Sequence, residues 1–252
     1  MAKELRILHL TRVFRDPPTG GVEQSILSLC HAQSEVQHHV LCLSSGPKMQ
    51  TQIGRLRVTR VGYWGSEKFF PLSPEWFQAF HSLIREVDLI HVHSPFPLGE
   101  LSAALTQRPK LCSYHADVEG FGLAGRIYRV LLTQSLKTMQ TIVVGSSHYI
   151  RSSTMLTPHV ERCIVIPYGL PIETVKPVAP HQELPERFFL FVGSLRRYKG
   201  LPVLLAAQLQ TGYPVVIAGD GECRNLVEQR TDQLIWLGSV SESEKQWLIE
   251  RC

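Results

Sequence analysis

The chain has 252 residues, enough for one large domain or two small ones, and its 44% hydrophobic and 19% charged residues suit a globular protein. A net charge of +4, with no basic block and no RNA-binding aromatic motif, gives no ground for a nucleic-acid partner, and none is expected. No run approaches the roughly 20 apolar residues that span a bilayer. The N-terminus shows no signal-peptide pattern, and Cys30, Cys42, Cys112, Cys163, Cys223 and Cys252 lack metal or disulfide spacing, so a reducing cytoplasm is the expected setting.

In chain order, short β-branched runs alternate with longer amphipathic stretches, the pattern of a mainly parallel sheet covered by helices. Strands are expected at Arg6–Leu10, His39–Leu43, Arg57–Val61, Leu89–His93, Lys110–Tyr114, Thr141–Val144 and Cys163–Ile166. Helices are expected at Val22–Gln33, Pro74–Val87 and Ala124–Met139. Ser73-Pro74 opens the second of these with a serine N-cap and a proline at the first helical position.

Pro167, Pro171, Pro177, Pro180 and Pro185 then crowd together and read as an extended connector, because proline fixes φ and donates no ladder hydrogen bond. The α/β rhythm restarts with strands at Phe188–Val192, Val215–Ala218 and Leu234–Leu237 and helices at Leu201–Leu209, Glu222–Gln229 and Glu242–Arg251. The expected organisation is an α/β domain over 1–170, a proline-rich linker over 171–187 and a smaller α/β domain over 188–252. Three parallel strands leave open sheet edges, so the second domain reads as incomplete.

Two glycine turns, each after a strand and before a helix, suit an anionic ligand. The later is Val192-Gly193-Ser194-Leu195-Arg196-Arg197-Tyr198-Lys199-Gly200. Free backbone N–H groups at a helix start favour an anion there, and Arg196, Arg197 and Lys199 add grip on a diphosphate. The plain alternative is an exposed basic loop. The earlier turn is Thr19-Gly20-Gly21-Val22-Glu23-Gln24, where Gly20 and Gly21 either admit a ligand close to the backbone or supply positive φ to a loop.

His91-Val92-His93 places two imidazoles on one face of a strand end. Metal ligation needs a third ligand that the sequence does not supply, so buried histidines lining a cleft are expected and no metal site is assigned. Ser94-Pro95-Phe96-Pro97 reads as a rigid loop after that strand. Ser113-Tyr114-His115-Ala116-Asp117 also lands at a strand's carboxyl edge, where ligands bind in open α/β sheets. His115 and Asp117 either orient sugar hydroxyls or tie down the loop. Val144-Gly145-Ser146-Ser147-His148 lacks the last glycine of a serine elbow, and Ala218-Gly219-Asp220-Gly221-Glu222 lacks the third glycine of a dinucleotide fingerprint.

In this order, the GGVEQ loop, SYHAD, IPYGL, VGSLRRYKG, AGDGE and WLGSVSESEK resemble the retaining glycosyltransferases of family 4, over essentially the whole chain. HADVEGF and LRRYKG are most similar to bacterial lipopolysaccharide and exopolysaccharide enzymes, often mannosyltransferases. The resemblance implies the GT-B fold: two Rossmann-like domains, the first acceptor-side, the second binding a nucleotide-sugar donor. It implies transfer of a hexose, mannose among the candidates, to a saccharide or lipid-linked acceptor. It implies no cofactor and no metal, with peripheral contact at the cytoplasmic membrane face a further expectation.

By position, the resemblance places Gly20 and Gly21 near the donor phosphates and His115 on the transferring sugar. Asp117 and His93 fall on the acceptor side. Lys199 and Arg197 would hold the leaving diphosphate, with Arg196 and Gly219 on the donor and the backbone of Gly238 to Val240 at the base. Two departures stand out. Ser194 occupies the place of the family's usual arginine, and the family's paired glutamates fall beyond residue 252, so the chain as written is expected to be a weak catalyst. The alternatives are a non-catalytic remnant acting as a binding or assembly partner, and another GT-B enzyme such as an epimerase.

Overall fold

A computed structural model describes residues 4–65, 71–118, 122–169, 175–228, 231 and 233–252. Glu119 to Phe121, Leu170 and Pro171 of the hinge, and Gln229 lie outside the described residues. The chain divides into two compact units, Met1–Pro171 and Ile172–Cys252.

Among the described residues, the first unit is built on an eight-stranded sheet in the order β3-β4-β2-β1-β5-β6-β7-β8. The strands are β1 (Leu5–Leu10), β2 (Val36–Ser44), β3 (Met49–Ile53), β4 (Leu56–Gly62), β5 (Leu89–Ser94), β6 (Lys110–Tyr114), β7 (Thr141–Val144) and β8 (Cys163–Val165). All pair in parallel except β3, which runs antiparallel to β4. The sequence reading missed β3: Met49-Gln50-Thr51-Gln52-Ile53 is an edge strand with a mostly wet face, so it carries little apolar signal.

The two faces of the sheet differ in chemistry. Leu8, Leu10, Leu41, Leu43, Ile90, Val92 and Tyr114 alternate onto one face and form the largest core. Helices α2 (Pro74–Leu83), α3 (Pro97–Ala104) and α4 (Gly122–Thr138) supply Trp76, Leu98, Ala103, Leu132 and Leu136 to that core. Trp76 is fully buried, edge-on to Phe96 at 4.9 Å, and its indole N–H donates to Ser102 Oγ at 2.8 Å. The other face carries Val40, Cys42 and Val58 under Ile26 of α1 (Gly21–Ala32), and it also carries His9, His38, His91 and His93.

Two short helices are present that the sequence reading did not assign. α3 follows directly from Phe96, with Pro97 at its first position, and Gly99 presses so close to Phe96 that a Cβ would stand 2.6 Å from the ring. Its Gly99 and Ser102 are weak helix formers, and burial rather than propensity holds it. α5 (Ser147–Ser152) is capped by Ser146, whose hydroxyl accepts from Tyr149 N–H at 3.2 Å. α2 stops at Leu83 instead of Val87, because Val87 turns into the core and Asp88 N–H is taken by the Arg6 carbonyl.

The second unit holds a parallel three-stranded sheet, β9 (Phe189–Val192), β10 (Val215–Ala218) and β11 (Leu234–Gly238), in the order β11-β10-β9. α6 (Leu201–Thr211) and α7 (Glu242–Arg251) pack on it, and Ser241 with Glu244 forms the expected capping box of α7. The proline-rich stretch belongs to this packing: Leu184 lies against the core of Phe188, Val216, Ile235 and Leu248, and Val178 N–H donates to the Ser243 carbonyl. The helix expected at Glu222–Gln229 is only a 3-10 turn, Arg224–Leu226. Its start is tied down elsewhere, since Cys223 N–H donates to the Leu195 carbonyl and Gly221 abuts the Leu195 backbone.

Candidate functional site

The residues singled out from the sequence fall at the carboxyl edges of the two parallel sheets, where open α/β folds bind ligands. In the first unit these are Gly20 and Gly21 after β1, His93 near the end of β5, and His115 and Asp117 after β6. In the second unit, Arg196, Arg197 and Lys199 follow β9, Gly219 follows β10, Gly238 ends β11 and Val240 follows it.

Gly20 sits at φ −110°, ordinary extended backbone, so the positive-φ explanation for this glycine does not hold. Its N–H donates to Glu23 Oε2 at 2.6 Å, and a Cβ there would meet the same oxygen at 2.7 Å. The Glu23 carboxylate is buried and also accepts from Arg15 N–H at 2.6 Å, which fixes the loop before α1. Gly21, the first residue of α1, has open space where a side chain would be. The room for a ligand is therefore at Gly21, and Gly20 serves the loop.

His115 is held from three sides. Its N–H donates to the Ser94 carbonyl at 3.0 Å, its Nε2 faces His93 Nδ1 at 3.1 Å, and its Nδ1 faces the Tyr168 hydroxyl at 2.8 Å. The contact continues inward, with His93 Nε2 to His9 Nδ1 at 3.1 Å and His9 Nε2 to His38 Nδ1 at 2.9 Å. Four imidazoles thus form one hydrogen-bonded line across β1, β2 and β5 to the loop after β6. Burial keeps the line uncharged: it lowers His115 to about 4 and holds His9 and His93 well below the ordinary histidine value. His91 Nε2 meets Ser113 Oγ at 2.7 Å, and burial lowers its pKa to about 3.

Asp117 does not touch His115 in this arrangement. Its Oδ1 accepts from the Tyr114 hydroxyl at 2.8 Å and the Ser153 hydroxyl at 2.6 Å, so it fastens the loop after β6 to α5. Tyr168 is the residue that sequence reading passed over. It lies within the IPYGL segment; its ring stacks on His115 at 5.5 Å, and Gly145 makes room for it, since a Cβ at Gly145 would stand 2.9 Å from the ring. His9 and His38 were missed because neither shows a ligand-like spacing within its own strand; only the strand register brings His9 opposite His91.

In the second unit, the fully buried Leu195 anchors the basic turn and leaves Arg196, Arg197 and Lys199 exposed. Among the described residues no carboxylate pairs with these three. Gly200 takes φ +76° and leads into α6; Pro202 has no N–H and Val203 and Leu204 N–H donate to the Gly200 carbonyl, so the Leu201 N–H is the early donor of α6 beside the basic turn. Gly219 is a packing position: at φ +143°, a Cβ would stand 2.0 Å from the Gly193 carbonyl oxygen. Gly238, at φ +71°, has open space where a side chain would be, while its carbonyl accepts from Gly219 N–H at 2.7 Å. Val240 packs against the core beside Leu248. The turns after β9, β10 and β11 are therefore tied to one another through Gly193, Gly219 and Gly238.

The profile described as Glycosyltransferase Family 4 matches residues 19–174. The chain is 33% identical over 264 residues to the D-rhamnosyltransferase WbpZ of Pseudomonas aeruginosa, covering 98% of this chain and 69% of the relative. It is 30% identical over 268 residues to the O-antigen chain mannosyltransferase C of Escherichia coli, covering 98% of this chain and 71% of that one. Among solved structures, Anabaena Alr3699/HepE in complex with UDP and glucose has a TM-score of 0.71 at 16% identity, covering 98% of this chain and 72% of that chain. The lipopolysaccharide outer core galactosyltransferase WaaB has a TM-score of 0.56 at 16% identity, covering 98% and 71%. These structural likenesses speak to the fold, which is that of GT-B proteins.

Proposed function

The chain belongs to glycosyltransferase family 4, and we propose from that premise that it moves a hexose from a nucleotide-diphosphate sugar to a saccharide or lipid-linked acceptor, with retention at the anomeric carbon. Cell-surface polysaccharide synthesis is the setting its relatives' names supply, since they are an O-antigen mannosyltransferase and a D-rhamnosyltransferase. UDP and glucose accompany one structural neighbour, which supports a nucleotide-sugar donor.

The observation that carries this reading is the unpaired basic turn, Arg196, Arg197 and Lys199, beside the N-terminus of α6 at the sheet's carboxyl edge. When the bond from the anomeric carbon to phosphate breaks, negative charge grows on the diphosphate, and fixed cations there lower the barrier. Ser194 stands where the family usually has arginine, and in our reading Arg196 and Arg197 supply that charge from further along the turn. The acceptor oxygen bonds to the same carbon, and its proton passes to the departing phosphate oxygen, so no side-chain nucleophile is required.

His115 serves as an uncharged hydrogen-bonding group for the sugar. Both ring nitrogens are engaged, by His93 and by Tyr168. A sugar hydroxyl therefore binds to the Tyr168 hydroxyl, which holds the imidazole in place.

Peripheral membrane contact is part of the proposal, because a lipid-linked acceptor sits at a bilayer. Leu123, Ile127, Val130 and Leu131 are exposed on the outer side of α4, among the exposed Arg126, Arg129 and Lys137. An apolar strip flanked by cations suits anionic lipid. Among the described residues no helix is long and apolar enough to cross a membrane, and we place the protein on the cytoplasmic face.

The test is transfer of labelled hexose from a panel of nucleoside-diphosphate hexoses to a lipid-linked saccharide, with NMR assignment of the new anomeric bond. A product with the donor's configuration supports the proposal, whereas an inverted product contradicts it.

A further inference from the structure

The sequence offered two histidines on β5 and no third ligand; the fold supplies one. His9 on β1 stands opposite His91 in the strand register, and its ring lies 5.0 Å from His91 and 5.4 Å from His93, which are themselves 4.2 Å apart. A ligand nitrogen from each of the three lies within 4.8 Å of the other two, and all three side chains are buried. We propose that His9, His91 and His93 bind one divalent transition-metal ion, with zinc the ion the site fits best.

The strongest support is the outer ring of partners. Imidazoles that ligate a metal nearly always donate their other ring N–H to a fixed acceptor. Here His9 has its Nε2 on His38 Nδ1, His91 has its Nε2 on Ser113 Oγ, and His93 has its Nδ1 on His115 Nε2. That leaves His9 Nδ1, His91 Nδ1 and His93 Nε2 as the nitrogens not held by these outer partners. His9 Nδ1 and His93 Nε2 are 3.1 Å apart. Two imidazole nitrogens on tetrahedral zinc, each at about 2.05 Å, are separated by about 3.3 Å, so the ion needs only a small spread of the pair.

The donor chemistry agrees with the geometry. Three neutral nitrogen donors with no carboxylate favour a borderline ion such as zinc over magnesium or calcium. His9, Cys30 and His38 form a second group of comparable compactness. Burial pushes the Cys30 thiol up to about 12, so that group would have to release a proton on binding and the three-histidine group would not.

A bound ion would also set the hydrogen-bond direction toward His115. With His93 Nε2 on the metal, its proton sits on Nδ1 and is donated to His115 Nε2. His115 Nδ1–H then points at Tyr168. Metal binding itself does not depend on the transferase reading.

The experiment is calorimetric titration of the untagged full chain, stripped with chelator, with Zn²⁺ alone at pH 7.5. The expected result is one ion per chain with submicromolar affinity. Cys30→Ser should leave the binding unchanged, and His91→Gln should weaken it at least tenfold. Co²⁺ added to the unmutated protein should give a tetrahedral visible band without a thiolate charge-transfer band, a readout independent of any variant's folding. Absence of saturable one-to-one binding overturns the proposal. So does a thiolate band, or unchanged affinity in folded His91→Gln.

Discussion

The Tyr168 hydroxyl lies 2.8 Å from Nδ1 of His115, a contact spanning 53 positions of sequence, with the two rings stacked within 15° of parallel. Tyr168 belongs to the hinge after β8, so the end of the first unit directly sets the orientation of the imidazole proposed to meet the sugar. Tyr168→Phe removes one hydrogen bond worth about 1 kcal/mol and should raise the KM for donor sugar roughly fivefold. His115→Ala should cost more than about tenfold in kcat/KM. Affinity for the nucleoside diphosphate alone should change in neither variant. A Tyr168→Phe enzyme with unaltered donor KM would remove this residue from the site.

The buried imidazoles make acid the protein's weak condition. His9, His38, His39, His91, His93, His115 and His159 all have folded pKa values below the usual 6.5, mainly through burial, with His39 and His115 near 4 and His91 near 3. Below 6.5 the unfolded chain takes up protons that the folded chain refuses. Stability is therefore fully present above pH 6.5 and falls as pH drops toward 4, by up to about 1.4 kcal/mol per pH unit for each such histidine. Glu100, raised by burial, opposes this as a single group. Thermal melts at pH 7.5, 6.0 and 5.0 should show a steep fall in Tm, and a flat profile would contradict the neutral cluster.

Gly219→Ala places a Cβ against the Gly193 carbonyl oxygen at a φ that side chains rarely adopt. We expect a loss of roughly 2 kcal/mol or more in urea unfolding, together with weaker nucleoside-diphosphate binding, because the same contact aligns the basic turn. Gly21→Ala, with open space around it, should leave stability within about 0.5 kcal/mol of the parent.

On the outer side of α4, replacing Ile127 and Val130 together by aspartate should abolish sedimentation with vesicles containing anionic lipid. The parent should bind such vesicles far more tightly than neutral ones, at about 1 kcal/mol for each of Arg126, Arg129 and Lys137 near the surface. Equal binding to both vesicle types, or no loss in the double variant, would count against membrane contact through this face.

Much of this architecture is legible in the sequence because parallel strands buried on both faces read as short apolar runs, and Ser73-Pro74 and Ser241 to Glu244 mark helix starts locally. The elements that escaped are those held by tertiary contacts. α3 depends on Gly99 fitting against Phe96, and β3 is an edge strand with little apolar content. The turn at Arg224–Leu226 stays short because Cys223 is bonded back to Leu195. In the site, His91, His93 and His115 stand out by spacing. His9, His38 and Tyr168 become visible only through strand register and the return of the chain after β8, since nothing local distinguishes them from a core histidine or a turn tyrosine.

The central claim is that Arg196, Arg197 and Lys199 hold the diphosphate of a nucleotide-sugar donor. Its most direct test is titration of the chain with UDP and GDP, beside Lys199→Ala and Arg197→Ala variants, at two salt concentrations. The account predicts saturable binding of one of the two nucleotides that falls at least tenfold in Lys199→Ala and weakens with salt. Undiminished binding in a folded Lys199→Ala variant would contradict it.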